Sequence, residues 1–585
     1  MKKTLSFSIA LLAILSMLLV SCAPAATPAP AAPAAPAAKA PEPTKAPEVA
    51  KAAEPTKAPA AAPTKAAAAP AAGAPVKIKV FSPQDPNGDL PTNSFTKEAE
   101  KMFNIQFDWQ TTTMDGNSAK EKRQIALASG DYPDLFMLIP WVDQFSQLDL
   151  LRYGQQGVLL PLNDLIKQYG PNIQAALDKY PDFKAMATAP DGKIYGIPQL
   201  IECYHCSFGN KMWVNSAWLK KLGLSTPKTT DEFKAMLQAF KTKDPNGNGK
   251  ADEVPLSGAI HDYGVRPIPF LMDGFIYDDD RTYLALNNGK VDTVANKPEW
   301  KEGLTYVKGL VDAGLIDPGA FTQNAEAFKK IGDNADAELL GAGAGMHPAI
   351  FVTTGDKAPY GADYDVIPPL QGPRTAYSTF LNPSVPGATF VLTNKASKEA
   401  QIAAIKLVDS MFTQDGQLRA HFGEEGKDWR KPQAGDVANN KNVAPIFATI
   451  PLPKGEKPHN SGWGAMAQYF QPKTFRDGWV QGTDIYASNG YERRLQEATD
   501  LYSGKQSKDL FPFWTIWPDP ATADAIAMQR QNITDYVNQN ALQFVTGAKS
   551  LDKDWDAYVK GLDQLDLKGY LAAMQKAYDT SSIKK

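Results

Sequence analysis

Between residues 76 and 139 the spacing of apolar positions switches repeatedly between two periods. In "VKIKVFS" (76–82) Val76, Ile78 and Val80 alternate with lysines, and "FNIQFDWQ" (103–110) repeats the pattern with Phe103, Ile105, Phe107 and Trp109. A period of two sends alternate side chains to opposite faces, so both stretches predict half-buried strands. "PDLFMLI" (133–139) is apolar without a break, as expected of a central parallel strand covered on both faces. Between them "TNSFTKEAEKMF" and "SAKEKRQIALASG" have helical spacing, the second ending at Gly130, where glycine relieves the left-handed turn that closes many helices. Strands alternating with helices predict a doubly wound α/β lobe.

The same reading continues downstream. "KTTDEFKAMLQAFKTK" (228–243) opens on a capping box, Thr229 with Glu232, and lines up Phe233, Leu237 and Phe240 on one face. "SKEAQIAAIKLVDSMF" (397–412) and "ATADAIAMQRQNITDYVNQNALQF" (521–544) are further amphipathic helices, and "VPLSGAI" (254–260) reads as a strand. The expected fold class is α/β with extra helices. Residues 76–585 exceed the ~250–300 at which a single core stops growing, so two lobes are expected.

The first 75 residues have another character. Lys2 and Lys3 precede an apolar run, Leu11–Val20, far shorter than the roughly 20 residues a bilayer requires. This is an export signal over 1–21, and Leu19-Val20-Ser21-Cys22 resembles the bacterial lipobox, in which the cysteine is diacylated and becomes the N-terminus. Cys22 is thus the expected lipid anchor, since several acyl chains together hold a protein on a bilayer. Residues 22–75 are rich in Ala, Pro, Thr and Lys, with Glu-Pro-Thr-Lys-Ala-Pro at 42–47 and again at 54–59. With no aromatic residue to bury, this segment reads as an extended polyproline stalk of ~3.1 Å per residue. Leader and stalk carry net +4 within an overall −3, leaving −7 for the remainder. A mildly acidic domain without a basic stripe gives no reason to expect nucleic acid.

Motifs for chemistry are few. The five histidines (His205, His261, His347, His421, His459) are scattered, and there is no H-E-x-x-H, nucleophile elbow or phosphate loop. "GAGAGM" (341–346) lacks the spacing of a dinucleotide fingerprint and reads as small residues where backbones approach. A glycosidase carboxylate pair is not excluded by sequence. Cys203-Tyr204-His205-Cys206 fits a local disulfide, a pair of free thiols, or a redox or metal function; no complete tetrahedral ligand set accompanies it.

"DPNGNGKADE" (244–253) places Asp244, Asn246 and Asn248 at positions 1, 3 and 5 of an EF-hand, with Gly249 at 6 and the Lys250 carbonyl available at 7. Asp252 and Glu253 then follow at 9 and 10, and position 12 is Pro255, so the loop is a shorter relative of the EF-hand. The readings are a Ca2+ loop, which the density of oxygen donors favours, or a solvated Asn-Gly turn.

"GVLLPLNDLIKQYGPNI", "TAPDGKIYGIPQ", "WVNSAWLKKLGLSTPKTTDEFKAMLQAFKTKDPNGNGKADEVPL" and "QFVTGAKSLDKDWDAYVKGLDQLDLKGYLAAMQKAYD" resemble the extracellular solute-binding proteins of ABC sugar importers, most closely the lipoprotein subgroup with the alginate-oligosaccharide binders. The likeness runs from residue 76 to the end. It implies a hinged two-lobed clamp, the periplasmic-binding-protein type II fold. Lobe 1 is expected at about 76–202 and 382–450, lobe 2 at about 203–381 and 451–585. It also implies docking on an ABC permease, a monomer, an extracytoplasmic lipid-anchored location, and structural Ca2+ at Asp244, Asn246, Asn248, Lys250, Asp252 and Glu253. No enzymatic activity is implied. In such lobes ligands sit at carboxyl ends of strands, in the crevice. Trp141 follows "PDLFMLI" by two residues. Glu202, Tyr204 and His205 fall where the family crosses between lobes, His347 and Phe351 follow the small-residue run, and Trp463 lies in the aromatic-rich "NSGWGAMAQYF". These seven are the expected ligand contacts, aromatic faces suiting sugar rings. The rival readings are the same clamp binding a peptide or other polar solute, and a surface polysaccharide-degrading enzyme.

Overall fold

The computed structural model of the protein describes residues 73–584 apart from 261–263, 280, 383 and 454. The export signal, Cys22, most of the stalk and His261 lie outside the described residues. The strands that matter here are β1 (Val76–Pro83), β2 (Ile105–Thr112), β3 (Leu135–Met137), β4 (Lys211–Asn215), β5 (Ala342–Gly345), β6 (Tyr364–Val366) and β7 (Phe390–Leu392). The helices are α1 (Ser94–Phe103), α2 (Gly116–Ser129), the single turn α3 (Tyr204–Ser207), α4 (Thr230–Thr242), α5 (Lys398–Ser410), α6 (Tyr491–Asp500) and α7 (Ala523–Val545).

The first sheet has the order β7-β3-β1-β2. β1 runs parallel to both β2 and β3, with Val80 opposite Trp109 on one side and Leu135 on the other. β7 closes the far edge antiparallel to β3. The helices that return the chain between parallel strands start where side chains can cap them. Asn93 accepts from the Phe95 and Thr96 amides at the start of α1, and Asp115 caps α2, which ends on Gly130 at φ 77°. Ile78, Val80, Leu135, Met137 and Phe390 are fully buried against α5, whose Ile405, Leu407 and Val408 face them.

The second sheet is antiparallel throughout, order β5-β4-β6. Gly341 and Gly343, in the small-residue run, leave room that a Cβ would lose to Phe240, Trp218 and Phe328, so the run serves close packing. α4 carries the expected Thr229–Glu232 capping box, and its Phe233, Leu237 and Phe240 enter a large core shared with Trp300, Leu304 and the C-terminal Val537 and Phe544 of α7. Two expectations are corrected. "VPLSGAI" forms only isolated bridges at Val254 and Ser257 beside β5, because Pro255 and Gly258 interrupt a ladder. Residues 463–469, expected in the second lobe, pack into the first core through Trp463, Met466, Ala467 and Tyr469.

Candidate functional site

A cavity of about 290 Å³ opens beyond the carboxyl end of β1, between the turn that follows it and the segment 458–466. The turn, "QDPNGD", is held by its own polar groups. The Asn87 amide donates to Asp85 Oδ1 (2.7 Å), the Asp89 amide donates to Asn460 Oδ1 (3.1 Å), and Asn460 Nδ2 returns a bond to the Asp89 carbonyl (3.0 Å). Asn93, besides capping α1, donates to Asn460 Oδ1 and to the Gly462 carbonyl at 3.0 Å each. Two segments some 370 residues apart in sequence are thus clasped around one opening.

Two histidines line it. His421 Nδ1 lies 2.8 Å from the Gly464 carbonyl; a carbonyl only accepts, so Nδ1 carries the proton and Nε2 is left an acceptor. Burial pushes the His421 pKa down to about 4, and the Arg476 charge adds to the drop. His459 Nδ1 lies 2.6 Å from Asp428 Oδ1, while Ser461 Oγ donates to the other carboxylate oxygen at 2.7 Å. With Asp85 and Asp89 also on the wall, and neither lysine nor arginine among the described lining residues, the cavity is rich in acceptors and suits a ligand rich in hydroxyl donors.

The expected contacts Glu202, Tyr204, His205 and His347 come together in a second, adjacent cluster. Glu202 accepts from the Lys473 amide (2.8 Å), and the Lys473 ammonium lies 4.6 Å over the Tyr204 ring, whose hydroxyl donates to Asp500 (2.9 Å). His205 Nδ1 lies 3.6 Å from Glu492, which also pairs with Arg476 at 3.4 Å. His347 Nδ1 is 3.1 Å from the Tyr491 hydroxyl. Burial first, then the charges of Arg476 and Lys211, holds His205 well below the usual histidine range; burial with Lys211 pushes His347 down to about 4. Both rings are therefore neutral at pH 7. Buried Lys211 donates to the His205 and Phe208 carbonyls at 2.9 and 2.5 Å, fixing the α3 turn. The Arg476 charge lowers His205 and His421 alike, and its guanidinium lies in the cluster, 3.4 Å from Glu492 and 3.3 Å from Gln471 Oε1.

The three aromatic positions fare differently. Trp141 is 58% exposed just past β3, its apolar face open to solvent, although it does not line the cavity. Trp463 borders the cavity but is 6% exposed, its indole N–H donating to Thr96 Oγ1 (2.8 Å) and its ring packed edge-on against Phe95 and Trp109. Phe351 is fully buried between Phe328 and Tyr364; the short turn after His347 directs it into the core, so it offers no face to a solute. Cys203 and Cys206 are joined by a disulfide across α3.

Sequence reasoning missed Asp85, Asn87, Asp89, His421, His459 and Arg476. The first three carried a usable signal, since their turn directly follows the predicted strand "VKIKVFS", the same strand-end rule that selected Trp141. The histidines carried none, because their partners come from distant turns.

In the loop 244–253, Asp244 and glycines 247 and 249 adopt positive φ, 48°, 76° and 74°. Asp244 gathers the amides of Gly247, Asn248 and Gly249, and Asn248 Oδ1 accepts from Lys250. The Asn246 and Asn248 side-chain amides point at Asp252. One buried oxygen, Glu253 Oε1, has no hydrogen-bond partner, and burial together with Asp244 and Asp252 raises the Glu253 pKa. An orphaned carboxylate oxygen beside two further carboxylates is a donor set that fits a hard cation.

A family model described as bacterial extracellular solute-binding protein matches residues 88–418. The fructooligosaccharide ABC transporter substrate-binding protein FusA of Streptococcus pneumoniae is 30% identical over 517 residues, spanning 85% of this chain and 88% of FusA. The solved structure of a FusA EF-hand mutant in complex with fructo-nystose covers 87% of this chain and 100% of its own, with a TM-score of 0.64 at 26% identity. Alginate-binding protein AlgQ2, solved without calcium ion, shares the fold at a TM-score of 0.59 and 23% identity, covering 86% of this chain and 98% of its own.

Proposed function

The chain belongs to the bacterial extracellular solute-binding protein family, and on that premise we propose that it captures an oligosaccharide outside the cytoplasm and delivers it to the membrane subunits of an ABC importer. The observation that carries this reading is the acceptor-rich cavity at the carboxyl end of β1 in the first sheet. Sugar hydroxyls would donate to Asp85, Asp89 and the free nitrogen of His421. Trp141, Tyr204, His205, His347, Glu202 and the edge of Trp463 would complete the contact surface. FusA, named for fructooligosaccharides, supports a short carbohydrate chain as cargo. The protein works as a receptor: two lobes built on the two sheets close over the solute, and the solute stabilises the closed population.

The remaining features follow the same reading. Cys22 carries the lipid, the 22–75 stalk sets the receptor away from the membrane, and a monomer meets the permease. Ca2+ is held by Asp244, Asn246, Asn248, the Lys250 carbonyl, Asp252 and Glu253; when bound it neutralises their charge and pins the loop, and it does no chemistry on the solute. The FusA EF-hand supports this assignment.

Thermal unfolding against a panel of oligosaccharides and peptides tests the function. A ligand at 100 times its Kd should add about 2.7 kcal/mol of stability. Stabilisation by a sugar class, with the sugar recovered intact, is expected. Stabilisation by peptides alone would sink the carbohydrate cargo, and cleaved sugar would sink the receptor reading.

A further inference from the structure

The α3 turn, which gives Tyr204 and His205 to the proposed contact surface, also carries a sulfur pair that solute binding does not use. One ligand atom each from Cys203, His205 and Cys206 lies within 4.8 Å of the other two. His205 Nε2 points at Cys203 Sγ, 3.6 Å away, while its Nδ1 faces Glu492 at 3.6 Å. A carboxylate behind one imidazole nitrogen, with the other nitrogen aimed at a sulfur pair, is the arrangement that orients a histidine for metal ligation. Cys-x-x-Cys is also the spacing by which two thiolates grip one tetrahedral Zn2+.

We propose that Cys203, His205 and Cys206 form a latent Zn2+ site, masked by the disulfide and opened by its reduction. The turn does not depend on the S–S bond for its shape. Lys211 holds the His205 and Phe208 carbonyls, and Ser207 Oγ donates to the Cys203 carbonyl at 3.1 Å. The backbone that carries the donors is therefore held apart from the S–S bond. The Cα atoms are 5.1 Å apart, and Zn–S bonds of about 2.3 Å at a tetrahedral angle ask for sulfurs only about 3.8 Å apart, within reach of side-chain rotation. Soft thiolates with imidazole select Zn2+ over the hard cations that suit the loop at 244–253.

The redox step balances with a dithiol reductant. One of its thiolates attacks Sγ of Cys206, the half-buried partner, and Cys203 leaves as the thiolate. The second reductant thiol then attacks the mixed disulfide, closes the reductant to its own disulfide and frees Cys206. Two electrons and two protons pass to the protein, and Zn2+ displaces the two thiol protons as it binds.

The test titrates the purified protein, oxidised or reduced with a water-soluble phosphine, with Co2+ as a spectroscopic stand-in, followed by Zn2+. The expected result is thiolate-to-cobalt charge-transfer absorption in the reduced protein, erased by Zn2+ and absent from the oxidised protein and from the C203S/C206S variant. E492Q should weaken binding about tenfold. Zn2+ should also raise the melting temperature of the reduced parent protein, a readout that needs no variant, and leave that of C203S/C206S unchanged. Reduced protein that shows neither the absorption nor the melting shift overturns the proposal, as does an equal Zn2+ shift in C203S/C206S.

Discussion

Trp141 and Trp463 have the same side chain and opposite surroundings. Trp463 is enclosed by Phe95, Phe107 and Trp109, so Trp463→Ala should cost about 3–5 kcal/mol of folding stability by chemical denaturation. Trp141 is largely in water, so Trp141→Ala should leave stability within about 0.5 kcal/mol while weakening oligosaccharide binding. Equal stability losses would show that both are core residues. Behind Trp141, Arg123 grips Asp143 through two hydrogen bonds, 2.7 and 3.0 Å, both side chains nearly solvent-free, and its guanidinium lies over Phe145. Asp143→Asn should therefore destabilise by about 1–3 kcal/mol, because it leaves the buried Arg123 only the Asp149 carboxylate at 3.6 Å and the Gln144 carbonyl; no measurable loss would show that water reaches the pair. His421 and His347 are pushed down to about 4 from 6.5. The unfolded chain takes up protons first as pH falls, so stability is full above pH 6.5 and is lost progressively toward pH 4. His421 alone should account for about 3 kcal/mol of that loss, and His421→Gln should flatten the profile in acid denaturation; an unchanged profile would place the ring in solvent. Little of this residue-scale detail was legible in the sequence. An aromatic in a polar-flanked stretch reads the same whether it packs a core or faces a solute, and the histidine partners Gly464 and Asp428 become neighbours only through folding.

At the scale of elements the pattern was more legible. The capping box at Thr229 and Glu232, the Gly130 terminator and the burial of "PDLFMLI" between β1 and β7 all follow from local chemistry that the sequence displays. Long-range pairings were not legible: the antiparallel β7 edge joins residues some 250 apart, and the Leu200–Ile201 pairing with Phe470–Gln471 depends on the chain returning to the first core. The loop at 244–253 sits between these cases. Its donors were readable from spacing, whereas the unpartnered Glu253 oxygen was not. Chelation of Ca2+ should lower the melting temperature, with about 2.7 kcal/mol lost relative to saturation at 100 times Kd, and Asp252→Asn should remove most of that difference. Melting unaffected by chelator and Ca2+ alike would make the loop a plain polar turn.

For the whole molecule, each of the two sheets packs hydrophobic clusters on both its faces, Val80 and Leu135 on one side of the first with Phe81 and Phe136 on the other, Met212 and Val214 on one side of the second with Trp213 and Tyr364 on the other. The path between them was harder to read, because residues 463–469 look like any amphipathic stretch until Trp463 meets α1. The functional consequence is that the cavity draws its walls from two segments far apart in sequence, 83–93 and 458–466, which folding clasps together at the edge of the first core. Calorimetric titration of the purified protein with intact short oligosaccharides, fructooligosaccharides first, tests oligosaccharide capture most directly. Saturable heat that is strongly reduced in Asp85→Ala, with the sugar recovered uncleaved, is the expected result. No heat with any oligosaccharide class, or binding unchanged in Asp85→Ala and Trp141→Ala together, would contradict it.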